Sequence, residues 1–348
     1  MNLALIVACC VVFLVDMLLP RVPVQASRWM VERTREQAFN DLQRARVPLE
    51  VRYFPADQSG VGRMAAYPRG ASIADPIAVA DYMSVSPVRK WLQFTTASAV
   101  ASFDASGAFV GGEVWRFVGY GFLHVNLVHL AFNMLGLYML GGIVEERFGR
   151  SRYLALFLLS VVMGAFLFLL LNALGLAWYS WKGEQFLLPG LLFNDPYLPL
   201  IGASGGVYGI ILAAAWLRPD DDILVFYVLP VRFKHFALVL IGVSVLTLLQ
   251  NGANAGGEAA HLGGAIAGWW VAQRPHLLDD FFDFLGRATP KGRAKLAGGA
   301  SAAARRAPDT AEVDRILDKV RENGLQSLTE RERETLRAAT DASRGRKA

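Results

Sequence analysis

The sequence predicts an all-α membrane protein in which six transmembrane helices form one bundle, and two observations predict it. From Phe122 to Gln273 the chain is a succession of long apolar runs, and ~20 such residues cross a ~30 Å hydrocarbon core. Soluble core helices of that length carry a charged face, which these runs mostly lack. Of the 348 residues, 54% are hydrophobic. A soluble domain can reach that fraction, so the arrangement of the apolar residues decides the class, not their number.

The spans are expected at 3–19, 122–141, 152–172, 201–217, 233–250 and 258–273. Leu3–Leu19 is apolar apart from Asp16. No Lys or Arg precedes it and no small-x-small cleavage site follows, so it reads as a retained helix and not as a signal peptide. Glycines and polar residues within several spans suit a packed bundle. The domain division expected is 1–20 for the first helix, 21–121 for a long outer loop, 122–275 for the core, 276–310 for a flexible basic linker and 311–342 for a small cytosolic helical hairpin.

Within the outer loop, Ser27–Arg46 is charged and free of Gly and Pro, the composition of an amphipathic helix. Pro55, Gly60, Gly62, Pro68 and Gly70 then mark irregular chain. The 173–200 connection, with Trp178, Trp181, Pro189, Pro196 and Pro199, suits an interfacial loop. In the tail, 286–308 is rich in Ala, Gly and Arg, as linkers are. Val313, Ile316, Leu317 and Val320 follow at helical spacing. Gly324 is a stop, and Thr329 with Glu332 forms a capping box for a second helix. Such a hairpin can serve as a module for a cytosolic partner or be a plain appendage.

Charge sets the orientation. Short connections carrying Arg147, Arg150, Arg218, Arg232 and Lys234 belong on the cytoplasmic side. The opposite side has Lys182 and no base in 251–257. Both termini are therefore expected in the cytoplasm, with 21–121 outside. The formal charge of +5 is scattered without interleaved aromatics, which fits a membrane surface and not a nucleic acid. Cys9 and Cys10 are adjacent in an apolar run and offer no disulfide framework or spaced metal ligands.

Polar side chains at membrane depth are expensive and mark function. His124, His129 and Asn133 lie in HVNLVHLAFN. His129 and Asn133, four apart, share a helix face and could donate to one developing oxyanion; helix–helix hydrogen bonding is the ordinary alternative. Gly202-Ala203-Ser204-Gly205 opens the fourth span. A serine there is usually an N-cap, yet Gly205 and Gly209 form a GxxxG that permits close approach of a neighbour. His261, Gly264 and Gly268 lie on one stripe. Pressed against the Gly205/Gly209 face, that stripe brings the imidazole within reach of the Ser204 hydroxyl, as activation of a serine requires.

The ordered set Trp115-Arg116, His124…His129…Asn133, Glu145-Glu146-Arg147-Phe148-Gly149, Gly202-Ala203-Ser204-Gly205 and Ala260-His261…Gly264…Gly268 resembles the rhomboid intramembrane serine proteases, over about 110–275 plus the first span. The resemblance implies a six-helix fold with the serine-bearing helix central. It implies Ser204 as nucleophile and His261 as base and then acid. His129, Asn133 and the Ser204 N–H would form the oxyanion hole, and Tyr208 would pack on His261. Trp115, Arg116, His124 and Glu145 fall at structural positions, and no cofactor or metal is implied. It implies no third catalytic member, and Glu258 is expected to be solvated at the outer end of its span.

The partners that follow are transmembrane protein substrates and the lipid bilayer, and the location is a bacterial inner membrane. Two departures from the family pattern stand out, the length of 21–121 and the appended hairpin. A metalloprotease would need HExxH, and His124 to His129 has the wrong spacing. An aspartyl protease needs paired Asp within spans, where Asp16 is alone. A transporter would show inverted repeats. The remaining alternative is a catalytically inactive rhomboid-like protein that binds transmembrane clients, against which the joint presence of Ser204 and His261 argues.

Overall fold

The computed structural model describes residues 1–278, apart from 46, 48, 58–60, 71–74, 101, 104–108, 184–185, 226–227 and 253, together with 310–345. The chain divides into two compact units, Met1–Leu278 and Asp279–Ala348.

Helix α1 (Asn2–Leu18) opens the first unit. Leu3, Val7, Val11, Leu14 and Leu18 point outward from it, while Leu5, Cys9 and Phe13 face inward. A helix apolar on both faces belongs in lipid or deep in a core. Its first residue ties it down: the Asn2 amide donates to the Leu137 carbonyl at 2.7 Å, and the Tyr153 hydroxyl donates to Asn2 Oδ1 at 2.7 Å.

The chain then leaves the helical pattern, and the all-α expectation is corrected here. Strands β1 (Val22–Gln25), β2 (Glu50–Tyr53), β3 (Val61–Tyr67) and β4 (Ala78–Val85) form an antiparallel sheet of order β1-β4-β3-β2. The segment expected to be an irregular loop is thus a small folded layer. Helix α2 (Glu36–Arg44) is shorter than the Ser27–Arg46 expected. It lays Phe39 and Leu42 on Ala66, Ile77 and Ala78 of the sheet side. The sheet was hidden by its glycines and small residues. Gly62 is not a loop breaker; it lies in β3 opposite Tyr82, whose ring fills the space a side chain would need. Gly60 lies outside the described residues.

Sheet and helices meet at a buried polar contact. The buried Asp16, in the last turn of α1, accepts the Ser86 hydroxyl, with Arg21 at 4.0 Å. The same Ser86 oxygen caps α3 (Pro87–Leu92) by accepting the Arg89 N–H at 3.0 Å. After α4 (Thr96–Ala99) and the short strand pair β5 (Ser102–Phe103) and β6 (Phe109–Val110), α5 (Arg116–Gly119) runs into a 3-10 turn at Tyr120–Phe122.

The helical core follows. It consists of α6 (Leu127–Phe148), α7 (Arg150–Lys182), α8 (Ser204–Leu217), α9 (Phe233–Leu249) and α10 (Ala255–Gln273). By length and composition α6 and α7 are able to cross a membrane, while α1, α8 and α9 are shorter apolar helices. Two spans differ most from expectation. The second begins at Leu127, because Asn126 caps it by accepting the His129 N–H at 2.8 Å. The third runs through Trp178 and Trp181 to Lys182, since nothing before Gly183 breaks the helix. A hairpin of β7 (Asp222–Val225) and β8 (Leu229–Arg232) joins α8 to α9. Helix α8 is central, packing on α6, α7, α9 and α10.

The described part of the second unit is α11 (Thr310–Asn323), a 3-10 turn and α12 (Glu330–Gly345); the expected linker at 286–308 lies outside the described residues. Gly324 has φ +74°. The capping box forms reciprocally: the Thr329 N–H donates to Glu332 at 2.8 Å and the Glu332 N–H to Thr329 Oγ1 at 3.4 Å. Lys319 also donates to both Glu332 oxygens, at 3.0 and 2.9 Å.

Replacing Ser86 by Ala removes both a cap and a hydrogen bond to a buried carboxylate. Equilibrium unfolding in micelles is expected to show a loss of about 2–3 kcal/mol. In the hairpin, the Thr329 backbone N–H and then Lys319 hold the Glu332 carboxyl down at about 2, below its ordinary 4.5. A depressed carboxyl stabilises the fold above its unfolded value and loses that contribution on protonation. Hydrogen-exchange protection of 310–345, corrected for intrinsic rates, is therefore expected to decline as pH falls from about 4.5 towards 2, and not above.

Candidate active site

Ser204 begins α8, but it does not cap it. The helix is preceded by Ala203, with no side-chain cap, so the Ser204 hydroxyl is free for another partner. That partner is His261, whose Nε2 lies 2.8 Å from Oγ. The ordinary N-cap reading of this serine is thereby set aside.

Two helices reach this distance because neither carries a side chain at their contact. A Cβ added to Gly264 would overlap the Gly205 carbonyl, and one on Gly268 would overlap the Gly209 backbone. Ser160 of α7 fills the groove beside Gly209, and Gly263 lies against the Met163 and Gly164 backbone. Gly202, at φ +136°, adopts backbone that L side chains avoid. A Cβ there would also meet the His129 ring at 2.8 Å.

The entry to α8 is held from outside the helical core. Phe94 and Leu200 exchange both backbone hydrogen bonds, at 3.2 and 2.7 Å, and the Gly202 N–H donates to the Tyr120 carbonyl at 3.0 Å. The Tyr120 hydroxyl donates to the Val161 carbonyl at 2.7 Å. Thr96 donates to Asn172 Oδ1 at 2.6 Å, and Asn172 Nδ2 donates to the carbonyls of Leu192 and Asn194. Arg116 reaches Glu113 at 2.5 Å and the carbonyls of Lys90 and Gln93 at 2.7 Å each. Trp115 donates to the Trp91 carbonyl at 3.1 Å. Trp115 and Arg116 therefore lock α3 to α5, away from Ser204. Glu145 lies at the far end of α6, accepting the Asn2 N–H at 2.9 Å.

Around the serine, Tyr208 stacks on the His261 ring at 4.2 Å and 11°. His129 and Asn133 face the same cavity as Ser204 and His261. Asn133 spends one amide hydrogen on the His129 carbonyl at 2.8 Å, leaving the other. His124 sits before α6, 2% exposed and edge-on to His129 at 5.3 Å; it does not line the cavity.

Glu258 is corrected. It is not solvated: its side chain is 13% exposed and its Oε2 lies 2.9 Å from His261 Nδ1. Ser244 of α9 donates to the same oxygen at 2.6 Å, and Asn254 to Oε1 at 3.2 Å. The signal was available, since a residue three before His261 shares its helix face, and Ser244 is a polar residue in an apolar span.

The cavity has a volume of about 710 Å³. Beyond the polar group it continues past Phe132, Gly136 and Met139 of α6 to Leu224, Phe236 and Leu240 of the β7–β8 hairpin and α9. Helix α9 buries only Phe233, Ala237, Ser244 and Leu248, so this wall is lightly held. Among the described residues no cluster of His, Cys, Asp or Glu could hold a metal ion.

A bundle of apolar helices that encloses a serine bonded to a histidine is a helical membrane protein with a serine–histidine site in its interior. Over residues 111–274 the chain matches the rhomboid domain family. It is 32% identical over 158 residues to RHOMBOID-like protein 12, mitochondrial, of Arabidopsis thaliana, covering 45% of each chain. It is 32% identical over 169 residues to rhomboid protease AarA of Providencia stuartii, covering 45% of this chain and 54% of the relative. Rhomboid protease GluP of Bacillus subtilis is 26% identical over 161 residues, 46% of this chain and 26% of the relative. The chain thus spans about half the length of these curated relatives, or less. Residues 303–339 match a family of unknown function, DUF6576.

Gly264→Ala is expected to force α10 from α8, costing about 1–3 kcal/mol by overpacking, as read by equilibrium unfolding in micelles. Gly142→Ala, where a methyl meets nothing within 4 Å, is the control and does not destabilise the protein.

Proposed function

We propose that this protein is an intramembrane serine endopeptidase that cleaves transmembrane segments of other membrane proteins. The observation that carries the reading is the 2.8 Å contact of Ser204 Oγ with His261 Nε2 beside a cavity that opens towards the α6–α9 wall. His261 accepts the serine proton as Oγ attacks the scissile carbonyl, then returns it to the leaving amine. Ser204 is the first residue of its helix, so its N–H has no carbonyl one turn back to bond. That N–H, with His129 and Asn133, receives the oxyanion, at a helix end that favours negative charge. Tyr208 keeps the imidazole plane fixed.

All six apolar helices, α1 and α6–α10, cross the bilayer in this reading. The basic connections put both termini in the cytoplasm of a bacterial inner membrane, with the β-sheet layer outside and the α11–α12 hairpin available to a cytosolic partner. A substrate span enters between α6 and α9. Segments that unwind easily are favoured, since the amides of an intact helix are already bonded and shielded.

Cleavage of a single-span test substrate by the detergent-purified protein tests this. Ser204→Ala and His261→Ala are each expected to abolish cleavage in a folded protein. His129→Ala or Asn133→Ala is expected to lower turnover on the order of 10². Equal cleavage by wild type and Ser204→Ala would refute the serine mechanism.

A further inference from the structure

The geometry points to Glu258 as a positioning residue that makes the Ser204–His261 pair a Ser-His-Glu relay. The inference rests on the serine-protease reading above and adds a third member to its site. A histidine ring nitrogen accepts a proton only if it carries none, and which nitrogen is bare is set by the bond the other makes. His261 Nδ1 lies 2.9 Å from Glu258 Oε2. A carboxylate has only lone pairs to offer, so Nδ1 holds the hydrogen and Nε2 is bare. Nε2 is the atom 2.8 Å from Ser204 Oγ, so the hydroxyl donates and the pair is set for base catalysis before substrate arrives.

Glu258 is itself held. Two further donors reach its oxygens: Ser244, fully buried on α9, at 2.6 Å, and Asn254, in the turn before α10, at 3.2 Å. Three donors around two oxygens suit a carboxylate and leave it no freedom to turn away. The groups that share the site with His261 are His129 and Asn133 of α6, Ser204 and Tyr208 of α8 and, on its own helix, Glu258. Among these described residues only Glu258 bears a negative charge, so Glu258 is placed to offset the imidazolium formed during acylation. In that step the Oγ–H bond breaks, the Oγ–C bond forms and the proton sits on Nε2. Nδ1–H stays with Glu258, which remains ionised, and the Nε2 proton then leaves with the amine.

A purely structural role, tying α10 to α9 through Ser244, makes different predictions. Glu258→Gln keeps size and can still accept from Ser244, but its amide can offer N–H to Nδ1 and invert the tautomer. Its kcat is expected to fall by 10² or more, towards the order of 10⁴ lost when a soluble triad carboxylate becomes an amide. KM and melting temperature should stay as in wild type, and Glu258→Asp should recover part of the rate. Nitrogen NMR of ¹⁵N-histidine-labelled protein is expected to show the His261 proton on Nδ1 in wild type and on Nε2 in Glu258→Gln. A Gln variant within twofold of wild-type kcat, or a wild-type proton on Nε2, overturns the proposal. The wild-type spectrum decides even if the variant does not fold. If wild type neither cleaves nor reacts with a fluorophosphonate, the protease reading fails separately, and the spectrum still reports on Glu258.

Discussion

Everything in the core depends on two backbones touching. In lipid the surroundings are as apolar as a leucine side chain, so helices gain little by burying apolar surface against each other. What remains is close packing, and α8 and α10 achieve the closest form, with Gly264 on Gly205 and Gly268 on Gly209. The serine and the histidine lie beside this seam. Their short side chains meet only because the helix axes are nearer than any side chain at those four positions would allow. The remaining contacts, from Tyr120 on the α7 backbone to Phe94 on Leu200, keep the start of α8 from sliding along that seam.

A good part of this was legible in the chain. Glycines at i and i+4 beside a polar residue announce a seam directly, because close approach is nearly all that small residues contribute. Apolar runs announce helices in lipid for a similar reason, one property repeated over many residues. The sheet was not legible. Its strands bury small residues such as Ala66, Ala78 and Ala80, and its aromatic Tyr82 sits over a glycine, so no strong apolar alternation arises. The place of Glu258 near a helix end suggests water, whereas Ser244 from α9 and Asn254 close over it. Burial of a polar group is a tertiary fact, and one helix's sequence does not contain it.

The helix lengths also carry meaning. At 14 residues, α8 is roughly 21 Å long, short of a ~30 Å hydrocarbon layer. The irregular chain from Pro196 to Ala203 leads into α8, pinned by Phe94, Tyr120 and Ala97. Irregular backbone at such depth persists only where protein satisfies it. The segment that precedes the core in sequence therefore supplies part of the socket in which Ser204 sits.

The Asp16–Ser86 contact has a consequence in time. Its partners are 70 residues apart, and chains grow at about 5–20 residues per second, so Ser86 emerges roughly 4–14 s after Asp16. During that interval the Asp16 carboxylate lacks the Ser86 hydroxyl, and Asn2 still waits for Leu137 and Tyr153, 135 and 151 residues further on. The first helix is made early and secured last. Its place is thus provisional until Ser86 and α3 have packed against it and α6 and α7 have arrived.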